Sequence, residues 1–427
     1  MARKGKGTVA LLRDESFLWG VMAYRALAAA GLPFRLLSAR QLKRQMPEDC
    51  AALFVPGGWA SNKLKAIGKD GAARIRDFVA AGGAYIGFCG GAGMAVQEGL
   101  GLVDARRKPT KERVPAFSGP VRLVVNNDTL WQGIADPVFH AWWPSQLEVG
   151  RDVSVAAVYG EALPGAFSSD INVGDAVAAG GWQILEASYG INLDPERMKG
   201  EPAVIRGTFG QGTVLLSLIH FDSPEDPNGA TVLRNVWEEV AGTGIEGAAR
   251  RQTRPRKEAV PLAAIRPSLA ALAGTMKQSV DGLTDLGTRN FLWFPRNPLI
   301  LQWRRGVRGL EYSTLKVLMD EIEGIISSRP GYPLPAAGAQ GTEALAALAE
   351  EGLARACEGL LSFVDEARIL LVLERQAMAR ERLTFEESGE PRIRAVRERL
   401  FSNAKSHGGL FKRVIDDLDS VLSSLLA

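Results

Sequence analysis

The chain has 427 residues, 46% of them hydrophobic and 23% charged, with a formal net charge of +3. That length admits two or three domains of ordinary globular composition, and so small a charge makes no global case for binding nucleic acid. Three widely spaced cysteines, Cys50, Cys89 and Cys357, suggest neither a disulfide framework nor a metal site, and no cofactor motif is evident.

The basic start, Met-Ala-Arg-Lys-Gly-Lys, precedes an apolar run only a strand in length before Arg13-Asp14-Glu15. That is too short for the core of a signal peptide, and no run reaches the ~18 apolar residues of a membrane span. A reducing, cytoplasmic compartment is the expectation.

In chain order, Thr8–Leu12 reads as a strand and Phe17–Ala30 as an alanine-rich helix stopped by Gly31-Leu-Pro33. Phe34–Leu37 is a second strand, Gln41–Gln45 a short helix, and Ala51–Val55 a third strand ending in Pro56-Gly57-Gly58. Asp70–Ala81 places Ile75, Phe78 and Val79 at helical spacing, and Ala84–Phe88 is the next strand, with a helix expected after Cys89. Short apolar strands alternating with helices predict an α/β, flavodoxin-like parallel sheet covered on both faces. Ligands collect at the carboxyl ends of such strands, so Cys89 and Pro56-Gly57-Gly58 should be neighbours.

Further strands are predicted at Val121–Val125, Val153–Tyr159, Ala203–Thr208 and Thr213–Leu218, the last two as a hairpin around Gly210-Gln-Gly212. A helix follows around Thr231–Val240. The Gly-, Arg- and Pro-rich stretch 243–261, with Arg250, Arg251, Arg254, Arg256 and Lys257, reads as a linker between a domain at 1–242 and an α-helical domain at 262–427. In the latter, Glu343–Met378 and a last segment marked by Phe411, Val414, Leu418, Val421 and Leu425 are amphipathic. The aromatic stretch Phe291–Trp303, followed by Arg304-Arg305, reads either as domain core or as a docking patch.

Residues 81–93, Ala-Gly-Gly-Ala-Tyr-Ile-Gly-Phe-Cys-Gly-Gly-Ala-Gly, carry the chemistry. A strand runs straight into a cysteine whose small neighbours permit a sharp strand-to-helix turn and free backbone N–H groups to face an oxyanion. A working thiol needs a base and a group that orients the base. Of the three histidines, His407 lies beside Gly408-Gly409 in a surface turn, and His140 in a loop-like aromatic stretch, Phe139-His-Ala-Trp-Trp143. His220 ends a strand and should emerge at the edge that holds Cys89, with Asp222 or Glu225 as its orienter. Cys89, His220 and Asp222 make a sensible triad, with the Gly57-Gly58 turn and Gly90 supplying substrate contacts and the Gly58 and Gly90 amides as oxyanion donors. Trp142 and Trp143 either line this cleft or belong to the core.

Four motifs extend the argument: Phe54-Val-Pro-Gly-Gly58, Ile75–Gly83, Tyr85-Ile-Gly-Phe-Cys-Gly-Gly-Ala92 and Gly210–His220. In that order they resemble the class I glutamine amidotransferase-like superfamily over about residues 8–240, nearest the branch found as the N-terminal domain of biotin–protein ligases. The resemblance implies Cys89 as nucleophile and His220 as base, with an acid two residues after the histidine. Two positions depart from the pattern: Gly93 stands where glutamine-using members carry glutamine, and Asp222 where they carry glutamate. No glycine-arginine adenylate loop occurs in 260–427, so biotin ligation is not expected.

The expectation is a cysteine-dependent hydrolase or amidotransferase-like enzyme that cleaves a C–N bond in a small-molecule substrate. The alternative is an inactive ligand- or partner-binding module whose C-terminal helices engage a protein.

Overall fold

All five residues of Ala84–Phe88 are buried, as are the last four of Thr8–Leu12 and of Cys50–Val55. Strands buried on both faces belong in the middle of a parallel sheet. In the computed structural model, which describes residues 7–242, 261–333, 339–380, 390–403 and 406–426, they take that place. The chain divides into two compact units, residues 1–254 and 255–427. The predicted linker, apart from Pro261, lies outside the described residues.

The first unit begins with β1 (Thr8–Leu12), α1 (Leu18–Ala29), β2 (Phe34–Leu37), α2 (Ala39–Arg44), β3 (Cys50–Val55), α3 (Ala60–Ala80), β4 (Ala84–Phe88) and α4 (Gly90–Ala95). It continues through β5 (Ala105–Arg107), β6 (Phe117–Val125), β7 (Val138–Trp142), β8 (Leu147–Val149), β9 (Ser154–Ala162), β10 (Phe167–Ser168) and β11 (Ile171–Asn172). After α5 (Val173–Ala179) and α6 (Trp182–Tyr189) come β12 (Pro202–Phe209), β13 (Gly212–Ser217) and α7 (Pro227–Ala241). Strands β2-β1-β3-β4-β13 run parallel in that order, the flavodoxin-like arrangement, and the sheet continues antiparallel through β12-β9-β6-β10-β11. The predicted β12–β13 hairpin forms, turning at Gly210-Gln211.

Two segments differ from the sequence reading. Phe139-His-Ala-Trp lies in strand β7 rather than a loop, because it pairs with β6 (Pro120↔His140) and so buries Phe139, Ala141 and Trp142. Helix α3 starts at Ala60 rather than Asp70: its first half is polar, and Gly68 breaks it in the left-handed region (φ 63°). The helix expected after Cys89 forms and runs six residues, to where Val96 turns extended.

Register places the site. Val55 pairs with Gly87 and Phe88 with Ser217, so β3, β4 and β13 end together. The segments leaving those ends, Pro56-Gly57-Gly58, Cys89 and Leu218–Asp222, are therefore adjacent. Phe221 anchors the last of them: fully buried, it packs its ring against Phe88, Phe139 and Trp131 at centroid distances of 5.6, 5.0 and 6.1 Å.

The second unit contains helices Pro267–Arg289, Gly309–Ile326, Ala339–Ala377, Pro391–Phe401 and Gly409–Leu426 and one two-stranded hairpin, Trp293–Pro295 with Leu301–Trp303. Its aromatic core joins Tyr312, Phe363, Phe401 and Phe411. The Phe291–Trp303 stretch divides between the two roles considered for it: Leu292, Trp293, Ile300 and Leu301 are buried, whereas Phe291 and Phe294 are 71% and 47% exposed. No helix among the described residues is long and apolar enough to cross a membrane.

Phe221→Ala should cost the first unit about 3–5 kcal/mol, the usual price of emptying a buried aromatic site. Amide exchange of β4 and β13, which reports the opening free energy of that sheet, checks it.

Candidate active site

Cys89 stands between β4 and α4 with φ 47° and ψ −104°, a left-handed conformation that a side chain rarely adopts. Such backbone costs about 1–3 kcal/mol and persists only where its surroundings enforce it. Those surroundings are glycine. A Cβ on Gly90 would lie 1.8 Å from Gly58 O, and one on Gly91 would lie 1.9 Å from Val55 O. Tyr85 Oη donates to Gly91 O at 2.7 Å, and Cys89 N donates to Ser217 O at 2.7 Å, tying the elbow to its own strand and to β13. The Cys89 side chain is partly exposed, with Sγ 4.0 Å from Trp142 O.

His220 and Asp222 are both completely buried, and His220 Nδ1 lies 2.9 Å from Asp222 Oδ1. The loop holding them is fixed from several directions: His220 N donates to His140 O at 2.9 Å, and Ser217 Oγ accepts from Ile219 N at 3.0 Å. Glu225 is exposed, so the acid beside the imidazole is Asp222. Burial opposes a charge on His220, but the Asp222 carboxylate, joined by Cys89, outweighs it and raises the imidazole from 6.5 to about 10. Among the described residues His220 Nε2 has no hydrogen-bond partner. The ring is held at Nδ1, and its buried Nε2 is uncommitted.

Gly57 and Gly58 complete the enclosure. A Cβ on Gly57 would meet His220 Cε1 at 2.9 Å and Trp19 Cγ at 3.0 Å. Gly58 has φ 121°, and a Cβ there would meet Glu15 O at 2.5 Å. Neither the Gly58 nor the Gly90 N–H donates to an acceptor among the described residues.

Other side chains surround the site, of which Trp19, Lys63 and Tyr159 were not evident from the sequence. Trp19 stacks on His220 (centroids 4.7 Å, 30°) and meets Trp143 edge-on at 6.1 Å. Trp142 is buried core, its Nε1 donating to Ser223 Oγ at 2.8 Å, whereas Trp143 remains partly exposed with φ 49°. His140 stacks on Trp142 at 5.5 Å and lies 3.5 Å from Asp226 Oδ2, in the layer behind His220. Lys63 is buried under the turn and donates to Asp14 O and Ser16 Oγ. Tyr159 is fully buried with no partner for its hydroxyl; burial, then the charges of Cys89 and Glu201, push its ionisation well above the ordinary value. His407 belongs to the second unit, where it packs on Phe411. Among the described residues no group of His, Cys, Asp and Glu could hold a metal ion.

A family model described as biotin-protein ligase, N terminal, matches residues 33–98, the stretch from just before β2 to just past α4. It includes both glycine turns and Cys89 but stops short of His220. Among solved structures the chain is similar to PurLQS from Thermotoga maritima, at 15% identity over 55% of this chain and 99% of that one, with a TM-score of 0.37. It is also similar to a putative ThuA-like protein from Bacteroides uniformis, at 12% identity over 56% of this chain and 92% of that one, TM-score 0.33. A third is a β-galactosidase from Bacillus circulans sp. alkalophilus, at 15% identity, where the match spans 56% of this chain but only 32% of that one, TM-score 0.34. No curated protein matches this chain.

Two measurements follow from the geometry. Because the folded His220 binds its proton more tightly than the unfolded ordinary value of 6.5, the pair's stabilisation is complete below pH 6.5 and is lost as pH rises toward 10. The stability difference between wild type and Asp222→Asn, measured by denaturation at several pH values, should shrink across that window. Second, Cys89→Gly should be more stable than Cys89→Ala by about 1 kcal/mol, since only alanine keeps the Cβ at positive φ.

Proposed function

We propose that the first unit is a cysteine-dependent hydrolase, or an amidotransferase-like enzyme, that cleaves the C–N bond of a small-molecule amide. The observation that carries this reading is the fully buried His220–Asp222 pair, Nδ1 to Oδ1 2.9 Å, on the segment leaving β13 beside the end of β4 that holds the partly exposed Cys89; the Asp222 carboxylate favours the protonated ring. Support also comes from the strained backbone at Cys89, where glycine would be cheaper and cysteine is present. Residues 33–98 resemble a biotin-protein ligase N-terminal region, and no ligase chemistry is carried over with that likeness.

The Cys89 thiolate attacks the amide carbon, and the Gly58 and Gly90 amides receive the oxyanion. His220 already holds a proton, so its first act is donation to the leaving nitrogen as the C–N bond breaks, giving a free amine or ammonia and a thioester on Cys89. Neutral His220 then takes a proton from water, whose oxygen attacks the thioester. The C–S bond breaks, the carboxylic acid leaves, and thiolate and imidazolium are restored. Asp222 holds the ring in place and stabilises its charge throughout. Trp19, stacked on the ring, fixes its plane.

The division into 1–242, 243–261 and 262–427 belongs to the same proposal, with the helices as a partner-binding domain. A reducing, cytoplasmic compartment suits the three free thiols.

Site-resolved alkylation by iodoacetamide at pH 7 tests the reading. Cys89 of the folded protein should react at least tenfold faster than the same residue in the unfolded chain, and His220→Ala should abolish the advantage. Cys50, whose thiol burial pushes up to about 11, serves as the unreactive internal comparison. Equal rates for Cys89 folded and unfolded, unaffected by His220→Ala, would leave a binding module in place of an enzyme.

A further inference from the structure

Beside Gly93, one helical turn on from Cys89, two arginines come together without an acid partner among the described residues. Gly93 N donates to Cys89 O at 2.9 Å, and a Cβ at position 93 would lie 4.0 Å from Cδ of Arg107. The stem of Arg107 therefore passes the position where a glutamine stands in the enzymes that the sequence resembles. Its Nε donates to Ser145 Oγ at 2.8 Å, and Arg113 Nη1 donates to the same oxygen at 3.3 Å.

Some arginines of this unit are paired with acids, Arg197 with Glu186, Arg122 with Asp136 and Arg206 with Asp128 and Glu239, while Arg74 and Arg76 donate to backbone carbonyls. Among the described residues neither Arg107 nor Arg113 has a carboxylate within ion-pair distance, and Arg113 Nε is buried without an acceptor. Burial, and then the neighbouring Arg107, disfavour the charge on Arg113. The cost is not relieved by movement, because the loop is pinned. Val114 N donates to Gln146 Oε1 at 2.8 Å, and Asn192 Nδ2 donates to the carbonyls of Lys111 and Arg113 at 2.9 and 3.1 Å. Arg113 Nη2 also donates to Thr110 Oγ1 at 3.0 Å, so two guanidinium groups with only neutral hydroxyl partners, held in place against their mutual repulsion, are a receptor for an oxyanion, which both could bond through charge-assisted N–H donors.

We infer that Arg107 and Arg113 form an anion site, and that the substrate is an amide carrying a carboxylate or phosphate group about one helical turn from the carbonyl that Cys89 attacks. The inference about substrate rests on the reading of Cys89 as the reacting thiol; the anion site does not.

Isothermal titration of the full chain with succinate, and separately with inorganic phosphate, reads the site without any reaction. One of the two should bind with 1:1 stoichiometry, and at least tenfold more weakly in Arg107→Ala, an exposed position whose loss the fold tolerates. The anion that binds identifies the group. Binding of neither, or equal binding by Arg107→Ala, overturns the site. The link to Cys89 is read as the ratio of its alkylation rates by iodoacetate and iodoacetamide, which should fall at least fivefold in Arg107→Ala; an unchanged ratio breaks that link. If anion binding depends on Arg107 while neither reagent modifies Cys89 faster than in the unfolded chain, the hydrolase reading fails and the anion site stands.

Discussion

The close approach of two backbone turns governs the first unit. The elbow after β4 and the Pro56-Gly57-Gly58 turn after β3 lie so near each other that a single methyl group on Gly90 would overlap Gly58 O. Protein interiors at native density offer no slack for such an overlap. The contact holds Cys89 at a backbone angle it would not choose, and the absence of a side chain at Gly57 leaves His220 and Trp19 room to stack. Thiol, imidazole and two uncommitted N–H groups are gathered at one sheet edge as a consequence.

Electrostatics then divides the labour. An isolated imidazole so deeply buried would give up its proton; Asp222 at 2.9 Å, with Cys89 beyond the ring, reverses that tendency. The imidazole is therefore favoured in its protonated form, and in the proposed reaction His220 serves first as an acid. The strain at Cys89 and the repulsion between Arg107 and Arg113 are costs of the same kind. Each is a local arrangement that stability alone would not favour, held by the packing around it.

Much of this was legible in the sequence because it follows from short-range rules. Apolar runs bounded by glycine and proline marked β1 to β4, and the Gly-Gln-Gly signal marked the β12–β13 hairpin. The carboxyl-edge rule then put Cys89, the glycine turn and His220 together. What escaped was what arrives through tertiary contact. Trp19 sits in a helix that reads only as alanine-rich, and Arg107 comes from a three-residue strand paired with β8. Strand β7 was hidden by its own composition: its aromatic residues, with Pro137 and Pro144 close by, resemble a loop until β6 pairs with them. The choice between Asp222 and Glu225 needed burial, which spacing does not encode.

The account depends most on Cys89, His220 and Asp222 acting as one charged unit. Nitrogen NMR of histidine-labelled protein reads this directly. Both ring nitrogens of His220 should carry protons at pH 7, and Cys89→Ser should lower the pH at which the ring loses one of them. A neutral His220 at pH 7, titrating identically in wild type and Cys89→Ser, would contradict it.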